Sequence, residues 1–140
     1  ALTNASRTAG GATEGAGLAG SARPALIARG FAEVSRLVGA MGGQSSTLAG
    51  LAGLGDLTLS CTSTQSRNYR YGVSLGHGVT PSSDDLAEGV ATAPVARGMA
   101  RGLGIDAPLI DAVNLLLAGE QSIDLIVAGL MSRPLKREDE

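Results

Sequence analysis

Residues 21–43, SARPALIARGFAEVSRLVGAMGG, carry Ile27, Phe31, Val34, Val38 and Met41 at alternating steps of four and three. That spacing puts apolar side chains on one face of an α-helix. Ser21 stands where it can cap the helix, Pro24 is tolerated in a first turn, and Gly42 and Gly43 end it. Upstream, residues 10–20 read as another helix. Its repeated glycines each cost about 1 kcal/mol relative to Ala, so tight packing against a neighbour is needed to hold it. Downstream, a short helical turn at 46–49 leads into GLAGLGDL, with Asp56 at a helix start. Ser66 caps a helix reaching Leu75, which Gly76, His77 and Gly78 stop, and 80–83 reads as loop. A helix over 88–103 closes at Gly104, Pro108 opens one that runs to Gly119, and Ser122 caps the last, which Pro134 ends before a charged tail at 136–140. No stretch alternates with period two, so the expectation is a single all-α domain over residues 1–140.

Composition agrees. With one Phe, two Tyr, no Trp and 21 glycines among 140 residues, the core must come from aliphatic and small side chains, which suits close helix packing better than a sheet sandwich. Eleven basic and thirteen acidic residues leave a net charge of -2, which gives no field to gather nucleic acid or an anionic membrane. The apolar stretch near 109–117 contains Asp111 and Asn114 and falls far short of a membrane span. Residues 1–20 show no signal-peptide pattern, and the lone Cys61 allows no intrachain disulfide, so the expected compartment is the cytoplasm.

Chemistry concentrates in GLGDLTLSCTSTQSRN, residues 53–68. Arg67 and Asn68 behind a capping Ser66 would place a bidentate cation, an amide and free backbone N–H groups at one helix N-terminus, a cradle for phosphate or carboxylate. Asp56, set among small residues, is expected to be buried, and therefore to cap its helix or meet a cation or a substrate hydroxyl. Ser60, four residues on, shares its helical face. His77 reads as a solvated loop histidine and Cys61 as a small apolar packing residue. No metal site is expected, because no Cys, Asp or Glu stands at ligand spacing from His77. Gly53-Leu54-Gly55 lacks the preceding strand and third glycine of a nucleotide fingerprint.

Taken together, ALTN (1–4), ALIARGFAEVSRL (25–37), GLAGLGDLTLSCT (50–62), SRN (66–68), AEGVATA (87–93) and MSRPLK (131–136) resemble, in order and at similar intervals, bacterial NAD(P)-dependent glycerol-3-phosphate dehydrogenase. The resemblance implies a C-terminal helical domain of the 6-phosphogluconate-dehydrogenase type, here without the Rossmann half, which would have to be met in cis or in trans. The implied reaction interconverts dihydroxyacetone phosphate and sn-glycerol 3-phosphate by hydride transfer with NAD or NADP. Asp56, Ser66, Arg67 and Asn68 match substrate-binding positions, Asp56 a catalytic one as well, and Arg67, Leu86 and Glu88 match positions that line the cofactor.

Departures accompany the matches. The family's catalytic lysine, general acid or base at the substrate oxygen, is replaced by Thr3, whose hydroxyl cannot stand in for an ammonium group near neutral pH. Polar ASRT at 5–8 replaces an apolar segment, which predicts a loosened first helix, and 78–88 is short, which bears on Leu86 and Glu88. The expected chain is thus a substrate-binding domain inactive alone. The alternative is a non-catalytic phosphate-ligand-binding or helical dimerisation module, the homodimer forming through apolar faces left uncovered.

Overall fold

The computed structural model describes residues 3–82 and 87–134. These form α1 (Asn4–Gly15), α2 (Ala19–Ala40), α3 (Ser45–Ala49), a π-helical turn (Leu51–Gly55), α4 (Asp56–Ser60), α5 (Arg67–Gly76), α6 (Glu88–Gly102), α7 (Pro108–Leu117) and α8 (Ile123–Ser132), with no strand among them. The all-α expectation holds.

Helix α1 runs through the middle, with α5 laid along it and α2, α6 and α7 on its other sides. Its contact with α5 accounts for four of the glycines, Gly11, Gly15, Gly72 and Gly76. A Cβ on Gly11 would lie 1.9 Å from the carbonyl oxygen of Tyr69, and one on Gly72 would lie 2.1 Å from that of Thr8. The two backbones therefore touch directly, a packing only glycine allows. Around this pair the core is aliphatic: Ala5, Ala9 and Ala12 of α1 meet Leu26 and Leu37 of α2, Ala93, Ala96 and Ala100 of α6, Leu109, Ile110, Val113 and Leu116 of α7, and Ile126 and Leu130 of α8.

Helix ends follow one rule. At Gly17, Gly42, Gly78, Gly104 and Gly119 the backbone turns to positive φ. At Gly104, for example, Ile105 N–H reaches back to Ala100 C=O at 2.8 Å and Gly104 N–H to Arg101 C=O at 3.1 Å, the paired bonds that close a helix on a left-handed residue. Gly17 corrects the expected boundary: residues 10–20 are not one helix, and α2 begins at Ala19, with Ser21 inside it rather than at its cap.

Two further expectations change. The buried face of α2 is Ala22, Leu26, Gly30, Glu33 and Leu37, whereas Ile27, Phe31 and Val38 are half-buried and Met41 is exposed; of the expected stripe only Val34 is buried. An apolar reading misses this face because a glycine and a carboxylate lie on it. Gly30 lets Ser6 of α1 approach, since a Cβ there would fall 2.1 Å from the Ser6 hydroxyl. The polar 5–8 segment does not loosen α1 either: Ala5, Ser6 and Thr8 are buried, and the Thr8 hydroxyl donates to Asn4 C=O at 3.0 Å.

Glu33 is the most unusual buried group. It is 2% exposed and accepts hydrogen bonds from Leu109 N–H at 2.6 Å and Ile110 N–H at 3.2 Å. Helix α7 thus receives from α2 the acceptor that Ala107, at its N-cap, does not supply. Burial pushes the Glu33 carboxyl up to about 7 against the pull of these two N–H groups.

Candidate functional site

The turn 61–66 and the start of α5 are built by local bonds. The Ser66 hydroxyl accepts from Tyr69 N–H at 3.3 Å, which caps α5 as the sequence predicts. Arg70, one turn later, folds back to donate to Thr64 C=O at 2.7 Å and Gln65 C=O at 3.2 Å, clamping the turn onto the helix. The backbone N–H groups of Arg67 and Asn68, first in the helix, have no acceptor within it and carry the positive end of its dipole. The Arg67 side chain is exposed and makes no hydrogen bond or ion pair among the described residues.

Asn68 is buried and is held otherwise. Its Oδ1 accepts from Gly89 N–H at 2.7 Å, which ties the start of α6 to the start of α5. A Cβ on Gly89 would sit 2.5 Å from that oxygen, so a larger residue there would push the Asn68 amide aside. The Nδ2 donors of Asn68 are the ones left to meet an anion.

Asp56 is the first residue of α4. The expectation of a buried carboxylate fails: its side chain is 61% exposed. Of the partners the sequence left open, a cap, a cation or a substrate hydroxyl, a cation is present: Arg7 of α1, whose Nη2 lies 3.0 Å from Asp56 Oδ2, while Nη1 donates to Asn4 Oδ1 at 3.3 Å. Ser60 donates to Asp56 Oδ1 at 3.4 Å, as the shared helical face implied. Gly53, in the π-helical turn before α4, is pinned by Leu48 C=O, 2.2 Å from where its Cβ would be, whereas Gly55 has open space. Behind the carboxylate Cys61 is buried, and desolvation pushes its thiol up to about 12, so it stays protonated and unreactive.

Asp56, Ser66, Arg67, Asn68 and Glu88 therefore line a single cleft of about 470 Å³, together with Arg7 and Ser60. A larger hollow of about 630 Å³ between α2 and α3 has Arg36 as its only charged lining residue among the described residues, so chemistry rather than size singles out the first. Thr3 is half-buried at the N-cap of α1 and does not line the cleft, and Leu86 lies outside the described residues. Glu88, exposed in the first turn of α6, stands on the rim. Sequence reasoning missed Leu59, Ser63, Gln65 and, the one charged group among them, Arg7. Its signal was present: a cation four residues after Thr3, inside the anomalous 5–8 segment.

Among the described residues, no three His, Cys, Asp or Glu side chains gather as a metal site. No helix among them is long and apolar enough to cross a membrane.

Comparisons with known proteins give the family. The model of the family described as NAD-dependent glycerol-3-phosphate dehydrogenase C-terminus matches residues 1–128. The chain is 52% identical over 139 residues to the glycerol-3-phosphate dehydrogenase of Brucella ovis, covering 99% of this chain and 43% of that protein. It is 48% identical over 143 residues to the enzyme of Caulobacter vibrioides, with the same coverage. The crystal structure of glycerol-3-phosphate dehydrogenase from Coxiella burnetii superposes with a TM-score of 0.85 at 38% identity, covering 94% of this chain and 42% of that one. The chain thus spans 43% of the length of the curated relatives it matches. It belongs to the family of glycerol-3-phosphate dehydrogenase C-terminal domains.

Proposed function

We propose that this chain is the substrate-binding half of an NAD(P)-dependent sn-glycerol-3-phosphate dehydrogenase of the cytoplasm, and that its cleft takes glycerol 3-phosphate or dihydroxyacetone phosphate. The observation that carries this reading is Arg67, a guanidinium without a partner among the described residues, beside the first N–H groups of a capped helix and lining one cleft with Asp56. A phosphate dianion satisfies the cation, the N–H groups and the helix dipole at once. The amide of Asn68 supports it, and Asp56 orients the carbon–oxygen end.

For the cofactor, the donor set fits one edge only. Arg67 and Glu88 are exposed on the rim and would meet the nicotinamide nucleotide from this side, with Leu86 as a third expected contact. A Rossmann domain, in cis or in trans, would hold the rest. The bound nucleotide supplies or receives the hydride. This chain's residues fix the three-carbon phosphate, and in such fixed geometry much of the entropic barrier is already overcome.

Thr3 favours a second reading, a phosphate-ligand-binding module without turnover, because the general acid or base expected at that position is missing. Calorimetry tests the shared part: glycerol 3-phosphate binds the chain, and Arg67→Ala weakens it by at least about tenfold. Equal affinity in the variant, or no binding at millimolar ligand, overturns the cradle. Supplying a nucleotide-binding domain separates the two readings. Dehydrogenase activity that rises on the order of 10² to 10⁴-fold in Thr3→Lys supports the enzyme half; binding without turnover in either form supports the module.

A further inference from the structure

The Arg7–Asp56 ion pair in the cleft is weakly justified as architecture. Asp56 is 61% and Arg7 23% exposed at the side chain, and such a pair contributes at most about 1 kcal/mol to stability. Chemically the pair is better suited to a ligand. Each Nη nitrogen of Arg7 carries two hydrogens, and the bonds to Asp56 and Asn4 use one on each. The Asp56 carboxylate keeps most of its surface in the cleft. Donors and acceptors therefore stand side by side, a pattern that matches neighbouring carbon–oxygen groups, a hydroxyl giving its proton to Asp56 and an adjacent oxygen accepting from Arg7. Arg67 stands in the same cleft on a different helix and has no acidic partner among the described residues, so the two guanidinium groups are not equivalent.

We propose that Arg7 is a specificity-determining residue of this cleft: docked on Asp56 and Asn4, its guanidinium binds the C2 oxygen of a three-carbon phosphate while Arg67 holds the phosphate. The inference rests on the phosphate-cradle reading above and adds the recognition of the other end. A guanidinium stays charged and donates hydrogen bonds rather than protons, so Arg7 supplies electrostatic grip on that oxygen and no proton transfer.

Two probes and three variants test it, with calorimetry on the whole chain using inorganic phosphate and glycerol 3-phosphate. The wild type binds glycerol 3-phosphate more tightly than phosphate. Arg7→Gln weakens glycerol 3-phosphate about tenfold and leaves phosphate within about twofold, whereas Arg67→Ala weakens both. Arg7→Lys, which keeps the charge and loses the planar fork, gives an intermediate, still selective loss. If Arg7→Gln loses its helical circular dichroism signal, the Lys variant carries the test. Arg7 variants that weaken both ligands alike, or neither, overturn the proposal. So does a wild type that binds the two ligands equally, which leaves the Arg67 cradle standing; binding of neither ligand removes both.

Discussion

Two carboxylates in this molecule each stand at the start of a helix, and their fates are opposite. Glu33 reaches from α2 to the first N–H groups of α7, is 2% exposed and has both oxygens taken by backbone. Asp56 opens α4, is 61% exposed at the side chain, and is held by two side chains, Arg7 and Ser60. A carboxylate whose partners are buried backbone groups is a joint, because no ligand can replace those partners. One whose partners are side chains at a cleft can exchange them for a ligand. Sequence pattern alone pointed the other way, expecting Asp56 to be the buried group and making nothing of Glu33.

The largest effect that sharpens the contrast is on stability. Glu33→Ala leaves two buried N–H groups without an acceptor and opens a void, a loss on the order of 3 to 4 kcal/mol. For a chain of this size that is a fall of about 10 °C in Tm. A calorimetric shift under about 2 °C would mean that Glu33 is no joint.

The next effect is on pH dependence. The folded Glu33 carboxyl titrates near 7, above its ordinary 4.5, because burial disfavours the charge. Between those values the unfolded chain has released this proton and the folded chain keeps it, so rising pH favours unfolding. The contribution is fully present below about pH 4.5 and is lost by about pH 7, up to about 3 kcal/mol in all. Urea melts from pH 4.5 to 7.5 check it through the difference between wild type and Glu33→Gln, in which other titrating groups cancel. Parallel profiles would show that the site carries no shifted proton.

What the sequence made legible follows the range of the interaction. Ser66, Arg67 and Asn68 are neighbours, so their grouping at one capped helix start could be read directly, as could the helix stops at Gly42, Gly78, Gly104 and Gly119. Gly17 escaped because it lies in a stretch already dense with glycine, beside a plausible cap at Ser21. Arg7 and Asp56 are 49 residues apart, Asn68 and Gly89 21, and Glu33 and Leu109 76; only tertiary packing brings them together. The rotated face of α2 was hidden for a related reason. Gly30 and Glu33 occupy it because of what α1 and α7 bring to them, and hydrophobicity cannot record a partner from another helix.

The smallest expected change in stability completes the comparison. Asp56→Asn keeps the shape of the side chain and removes its charge, so the Arg7 pair is lost and the Ser60 contact can persist through the amide oxygen. Because the pair is solvent-exposed on the Asp56 side, the variant should unfold within about 1 kcal/mol of wild type. That is a few degrees at most and well short of the Glu33→Ala loss. Arg7 then faces a neutral amide and keeps Asn4 as its other partner, so α1 has no cause to move. Matched urea melts of the two variants decide the matter. If Asp56→Asn falls as far as Glu33→Ala, the Arg7–Asp56 pair is a second joint, and the distinction between exchangeable and fixed carboxylates fails in this protein.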